Sequence, residues 1–220
     1  MIKLSLRLET ILEMTPVSVV ADIGSDHGKL MIALYESGKV NHGYAIENKK
    51  GPYNRLVKAL TKEKLEDIIV PLFSDGISDL PSCVSTIIIA GMGGETIIDI
   101  LKSHPRKLEK VQTIIIDAHS QVKEVRDFLT KIGFIIADER MIKEENIYYE
   151  IIRFIRSDIA FYSEEDLTFG PILRVEKNSI FKEKYISRIS EIENILKKKN
   201  IPPSRLVELQ KEKEKIMGVI

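Results

Sequence analysis

Cysteine occurs once in the 220 residues, at Cys83, and histidine four times, at His27, His42, His104 and His119. A single thiol excludes a disulfide framework and fits a reducing cytoplasm. Neither Cys83 nor the scattered histidines have partners at ligand spacing, so no metal site is expected. Long apolar runs are missing too: none approaches the ~18 residues that span a bilayer, and no membrane contact is expected. The opening stretch has Lys3, Arg7, Glu9 and Glu13 among its apolar residues and does not read as a secretory signal. An excess of charge of either sign is absent, with 33 Lys and Arg against 33 Asp and Glu. No nucleophile elbow, P-loop or zinc ribbon occurs, and nothing points to an obligate protein partner.

What is present is an ordinary globular composition, 44% hydrophobic and 30% charged, long enough for one domain and a modest appendage. The charge balance conceals a split. From Glu176 onward there are 11 Lys and Arg against 7 Asp and Glu, and the preceding residues carry the matching acidic excess. An acidic body with a basic tail suits a cationic or small ligand in one part and a polyanion on the other, although a lysine-rich solvated helix gives the same count.

Short apolar runs alternate with helical stretches. Strands are expected at Val17 to Asp22, Gly43 to Ile46, Ile68 to Phe73, Val84 to Ala90 and Val111 to Asp117, with helices near 29–38, 52–65, 94–104 and 121–131. The runs Thr86 to Ala90 and Thr113 to Asp117 are apolar without alternation, as strands covered on both faces must be. Repeated βα units predict an α/β fold with a five-stranded parallel sheet. After Gly133 the pattern changes: Phe134 to Lys143 and Ile147 to Arg156 are separated only by Glu144, Glu145 and Asn146, too few for a crossover, so they form an antiparallel hairpin. From about Asn178 the chain reads as helical. Tyr185, Ile189, Ile192 and Leu196 space a seam that Leu206, Leu209 and Ile216 continue and Lys213 interrupts, with Pro202 and Pro203 dividing it into a helical hairpin, a short coiled coil. The expected division is 1–160 for the sheet domain and 161–220 for the helical hairpin.

The strongest local signal follows the first strand: Asp22-Ile23-Gly24-Ser25-Asp26-His27-Gly28. A glycine turn between strand and helix lets a ligand approach the backbone at the sheet's switch point. In a dinucleotide fold the middle fingerprint position is glycine, so that pyrophosphate can settle on the helix N-terminus. Here it is Asp26, which repels phosphate and attracts a sulfonium or an amino group. Glu47 ends the second strand, where a carboxylate can accept both hydroxyls of a ribose. Asp75-Gly76 follows the third, although that pair is also a standard turn. The fourth ends in Ala90-Gly91-Met92-Gly93-Gly94, three glycines that leave room for a flat base.

Asp22 to His27, Gly51-Pro52, Asp75-Gly76, Ile89 to Gly94 and Tyr149-Glu150 together resemble the bacterial tRNA adenine-22 N1-methyltransferase family, over essentially the whole chain. The resemblance implies a Rossmann-like class I methyltransferase that uses S-adenosylmethionine, leaves S-adenosylhomocysteine and acts on N1 of an adenosine in the D-arm region of tRNA. It implies a cofactor site of Arg7, Asp22, Gly24, Ser25, Asp26, Gly28, Glu47, Asn48, Asp75, Gly76, Gly91 and Met92. Asp26 and His27 are the expected catalytic pair, one as electrostatic partner of cationic groups and the other as orienting or proton-accepting group. Lys182, Lys184, Arg188, Lys197, Lys198, Lys199 and Arg205 are the expected phosphate-binding surface. Relatives usually carry Gln-Pro after the fifth strand where this chain has Asp117-Ala118-His119, so no role passes to that loop. The competing readings are a methyltransferase for another RNA site or a small molecule, an inactive adapter with the same fold, and a dinucleotide oxidoreductase, which Asp26 disfavours.

Overall fold

A computed structural model describes residues 2–157, 161–198 and 200–220. Helix α1 (Leu6–Met14) leads into β1 (Val20–Ile23), α2 (Lys29–Glu36), β2 (Gly43–Glu47), α3 (Lys50–Glu63) and β3 (Ile69–Phe73). The second half runs β4 (Thr86–Met92), α4 (Gly94–Ser103), β5 (Thr113–Ala118), α5 (Val122–Lys131), β6 (Phe134–Glu144) and β7 (Ile147–Arg156). Short helices α6 (Glu164–Phe169) and α7 (Leu173–Glu176) then lead to the long pair α8 (Ser179–Leu196) and α9 (Pro203–Val219).

The strands form one sheet in the order β3-β2-β1-β4-β5-β7-β6. Pairing is parallel from β3 to β5, and β7 joins β5 and β6 antiparallel. The chain winds outward from β1 to β3 and then returns to lay β4 beside β1, so the winding reverses between β1 and β4. Ligands of open α/β sheets bind at the carboxyl ends of the strands at such a reversal. Ile87, Ile89, Ile114 and Ile116 feed the core on one face of the sheet, and Ile88 and Ile115 feed the other, which explains the absence of alternation in β4 and β5.

β4 runs past its expected end at Ala90 because its register with β5 slips between Ala90 and Met92, and Gly91 takes the extra position at φ +78°. The β6–β7 turn is tighter than expected: Glu144 still belongs to the strand, and only Glu145 and Asn146, at φ +48° and +64°, make the turn. Two successive left-handed residues give the tight hairpin geometry that matches strand twist. Glu144 instead accepts the Leu6 amide at the start of α1 (2.8 Å). Lys39 Nζ donates to the carbonyls of Leu12, Glu13 and Thr15 at the other end of that helix (2.8, 2.8 and 2.7 Å), so α1 is pinned at both ends.

The helical hairpin closes over the sheet's antiparallel end. Tyr185, Ile192, Leu209 and Ile216 are buried in a cluster with Phe169, Phe181 and Met141 of β6, while Ile189 and Leu196 pack at its edge. Lys213, which breaks the apolar seam, reaches across to Glu193 (2.6 Å). A buried charge network also ties the hairpin to the sheet. Arg126 on α5 donates to Glu139 (2.8 Å), Glu150 (2.6 Å) and the Leu167 carbonyl (3.2 Å), Lys184 on α8 also bonds Glu150, and Glu139 accepts the Ile172 amide (3.0 Å). Residues beyond 160 thus supply partners to charges buried in the sheet domain. Among the described residues no helix is long and apolar enough to cross a membrane.

Candidate active site

Two cavities meet at the carboxyl ends of β1 and β4. The larger, about 510 Å³, is lined by Gly24, Glu47, Asn48, Asp75, Gly91 and Met92, among others. The smaller, about 250 Å³, lies across the first turn and is lined by Arg7, Asp22, Ser25, Asp26, His27 and Gly28, among others. Gly24, Asp26 and Ala90 border both. All of the expected cofactor residues therefore face one of the two hollows, and a bipartite ligand with a nucleoside end and a charged end has a place for each.

The turn after β1 is shaped by its backbone. The amides of Gly24 and Ser25 both donate to the Ile46 carbonyl (2.8 and 3.1 Å), which folds the chain over the end of β2. Gly24 sits at φ +82°, a backbone conformation that favours glycine, and the tip of Met92 fills the space beside its bare Cα. Asp22 is buried behind this turn. Burial, with the nearby Glu47 charge adding to it, pushes its carboxyl up to about 6. Ser25 Oγ beside it is buried without a hydrogen bond of ordinary geometry. Glu47, also buried, uses Oε1 to accept the amides of Asn48 and Lys49 (3.1 and 3.0 Å). Asn48 in turn donates to Asp75 (2.8 Å), tying the ends of β2 and β3 together.

This acceptor set fits S-adenosylmethionine. Three carboxylates, Asp22, Glu47 and Asp75, offer acceptors for an ammonium, a ribose diol and an adenine amino group, and Asp22 is already destabilised as an anion before any cation arrives. Pyrophosphate would meet acceptors where it needs donors. Among the described residues no group of three His, Cys, Asp or Glu side chains could hold a metal ion.

Asp26 and His27 have less freedom than the sequence suggests. Arg55 of α3 grips Asp26 through Nη2 and Nε (2.6 and 3.1 Å), and His27 Nε2 stands 3.5 Å from its other oxygen. Both side chains are about half exposed. An incoming cation would share Asp26 with Arg55.

The expected RNA-binding side chains divide in two. Lys184 pairs with Glu150 of β7, and Arg188 binds Glu212 (2.7 Å) and Glu191 (3.0 Å) within the helical hairpin, so these two charges are already compensated. Arg205 lies 2.8 Å from Glu208, its neighbour one helical turn on, and Lys197 lies 3.5 Å from Asn194. Lys182 and Lys198 are exposed, and Lys199 falls outside the described residues.

The sequence reading missed a second cluster around Gly91. Arg7 Nη1 donates to Asp117 (2.6 Å), a fully buried carboxylate at the end of β5. The Arg7 guanidinium lies 5.4 Å from the Tyr149 ring centroid, and the His119 ring meets the same tyrosine edge-on at 5.8 Å. Arg7 and Gly91 are expected at the cofactor and Tyr149 belongs to the family motif, but the Asp117-Ala118-His119 segment that joins them carries no expected role.

Comparison with known proteins gives the family. The model of the tRNA (adenine(22)-N(1))-methyltransferase family matches residues 20–219. The tRNA (adenine(22)-N(1))-methyltransferase of Bacillus subtilis strain 168 is 30% identical over 201 residues, 88% of this chain and 84% of that protein. Two solved structures superpose on nearly the whole chain. The B. subtilis M1A22 tRNA methyltransferase TrmK is 28% identical with a TM-score of 0.89, covering 100% of both chains. M. capricolum TrmK in complex with S-adenosyl-homocysteine has the same identity and TM-score, covering 98% of this chain and 96% of its own.

Proposed function

The chain belongs to the tRNA (adenine(22)-N(1))-methyltransferase family, and we propose that its two joined cavities seat the cofactor of that reaction while the helical hairpin receives the RNA. It is an enzyme that transfers a methyl group from S-adenosylmethionine to N1 of adenosine 22 in tRNA. The cofactor, when bound, supplies a methyl group made electrophilic by a sulfonium.

The carboxylate cluster Asp22, Glu47 and Asp75, gathered at the reversal of the sheet, carries the reading of the site. Glu47 accepts the ribose hydroxyls, Asp75, held by Asn48, meets the adenine edge, and Asp22 counters the positive charge of the amino-acid end. Gly24, Gly28, Gly76, Gly91 and Met92 shape the walls, and the Ser25 hydroxyl beside Asp22 partly offsets the rise of its carboxyl. Asp26 and Arg55 form the rim, with His27 beside them to orient a substrate group.

Adenine N1 has an in-plane lone pair, so the protein's task is alignment rather than removal of a proton. Holding the reacting atoms ~3–3.5 Å apart and in line can supply roughly 7–11 kcal/mol. N1 also lies on the pairing edge, and the enzyme must hold the base unpaired or extruded, against an unstacking cost of a few kcal/mol. Phosphate contacts then position the folded RNA. We assign residues 1–160 to methyl transfer and 161–220 to tRNA recognition, with Lys182, Lys197, Lys198, Lys199 and Arg205 as its phosphate contacts.

Titration calorimetry of the full chain tests the site. S-Adenosylmethionine and S-adenosylhomocysteine should bind, NAD should not, and Glu47→Ala should weaken the first two. Tight NAD binding with no heat from S-adenosylmethionine would reject it.

A further inference from the structure

The loop after β5, to which the family resemblance gives no role, stands beside the cofactor cavity. At the β4 bulge Gly91 is exposed with a bare Cα, and it lines that cavity together with Ala90 and Met92. A Cβ placed on it would lie 3.2 Å from Arg7 Nη1 and 4.0 Å from His119 Cε1, so the Arg7 guanidinium lies directly against Gly91 with the His119 ring beside it. The His119 amide bonds the Met92 carbonyl (2.9 Å), which fixes the loop to the end of β4. Tyr149, from β7, is half-buried behind both side chains, and His119 is exposed. Three separate elements, α1, β7 and the loop after β5, thus bring a guanidinium, a phenol ring and an imidazole together around Gly91, the two rings edge to face, at the edge of the cofactor's cavity.

We propose that Arg7, His119 and Tyr149, around Gly91, form the seat of the acceptor adenine, with Asp117 as the positioning residue for Arg7. The proposal rests on the reading of the two cavities as the cofactor site. Planar side chains suit a flat base drawn out of a stack, because every base presents a π-face to such groups. The charge arrangement suits the chemistry as well. As the N1–carbon bond forms and the carbon–sulfur bond breaks, the electron pair passes to sulfur and the base takes up the positive charge. A bare guanidinium beside that base would oppose the change. Asp117, fully buried with one oxygen 2.6 Å from Arg7, compensates the guanidinium before the base arrives and holds its plane toward Tyr149. Its second oxygen is buried and has no hydrogen-bond partner among the described residues, so Arg7 is the group this carboxylate is seen to hold.

Single-turnover methylation of a tRNA transcript at saturating S-adenosylmethionine tests the seat, with cofactor affinity measured in parallel on the same variants. His119→Ala and Tyr149→Ala should each slow methyl transfer tenfold or more while cofactor affinity stays within twofold, and Tyr149→Phe, which keeps the ring, should stay within threefold of wild type. If Tyr149→Ala lowers the melting temperature, His119→Ala, at an exposed side chain, carries the test. Rates within threefold of wild type for both alanine variants would overturn the proposal, as would a loss of cofactor affinity that matches the loss of rate. A wild-type protein that binds no S-adenosylmethionine would instead reject the underlying assignment of the cavities.

Discussion

Replacing Asp22 with asparagine should stabilise the protein and disable its cofactor site. The carboxyl is buried and raised from its ordinary value of 3.8 to about 6, with burial the main cause and Glu47 adding to it. At about 1.4 kcal/mol per tenfold, ionising it in the fold costs about 3 kcal/mol at neutral pH. The sign follows from proton linkage: a group whose folded pKa is raised favours the fold most below its unfolded pKa and loses that contribution as pH rises through 6. Asp22→Asn should therefore be up to about 3 kcal/mol more stable than wild type at pH 7, with the gain shrinking between pH 6 and pH 4. The same variant should lose most of its affinity for S-adenosylmethionine, because the counter-charge for the ammonium is gone. In the wild type, binding near pH 6 should release about half a proton, measurable from calorimetric enthalpies in buffers of different ionisation heat. Urea unfolding across pH 4–8 reads the first effect and titration calorimetry the second. An asparagine variant less stable than wild type at pH 7, or one that binds the cofactor unchanged, would refute the reasoning.

Glu47→Ala removes a charged acceptor worth about 1.5–3 kcal/mol per hydrogen bond, so S-adenosylmethionine should bind roughly ten- to a hundredfold more weakly by calorimetry, and the melting temperature should fall because the Asn48 and Lys49 amides lose their acceptor. Arg126→Met removes the shared partner of two buried carboxylates, leaving Glu150 to Lys184 and Glu139 to the Ile172 amide. It should cost about 3–5 kcal/mol, a fall in melting temperature of roughly 6–20 °C by calorimetric scanning. Part of that loss should return when Glu139 and Glu150 are replaced by glutamine in the same chain. The Glu150 carboxyl, which burial would raise but Lys184 and Arg126 hold down to about 2, should keep its stabilising charge down through pH 4.5 and lose it only as pH falls toward 2. Reversing Lys197 and Lys198 to glutamate should weaken tRNA binding at least tenfold and flatten its dependence on salt, leaving cofactor affinity unchanged. Unaltered RNA binding in that variant would move the recognition surface to the sheet domain.

The sheet was legible because its signals are local. Ile87 to Ile89 and Ile114 to Ile116 reveal two-sided burial without any partner in view, and Glu47 and Asp75 stand out as candidates because strand ends at a reversal have a known place. What escaped depends on distant pairing. Arg7 and Asp117 are 110 residues apart and meet only when α1 folds over the end of β5. Arg126 looks like one more surface charge on α5 until Glu139 and Glu150 arrive from the β6–β7 hairpin. Lys184 and Arg188 looked equally free for phosphates, whereas Glu150 and Glu212 hold them. The hydrophobic period showed that α8 and α9 pair; it did not show that they also share Met141 and a buried ion network with the sheet.

The decisive measurement is the position of the methyl mark on a tRNA transcript incubated with the full chain and S-adenosylmethionine, read by nuclease digestion and chromatography of the nucleosides. One N1-methyladenosine, located at nucleotide 22 and lost with Glu47→Ala, is the predicted result. A mark on another base or atom, or none from a protein that binds the cofactor, would contradict the account.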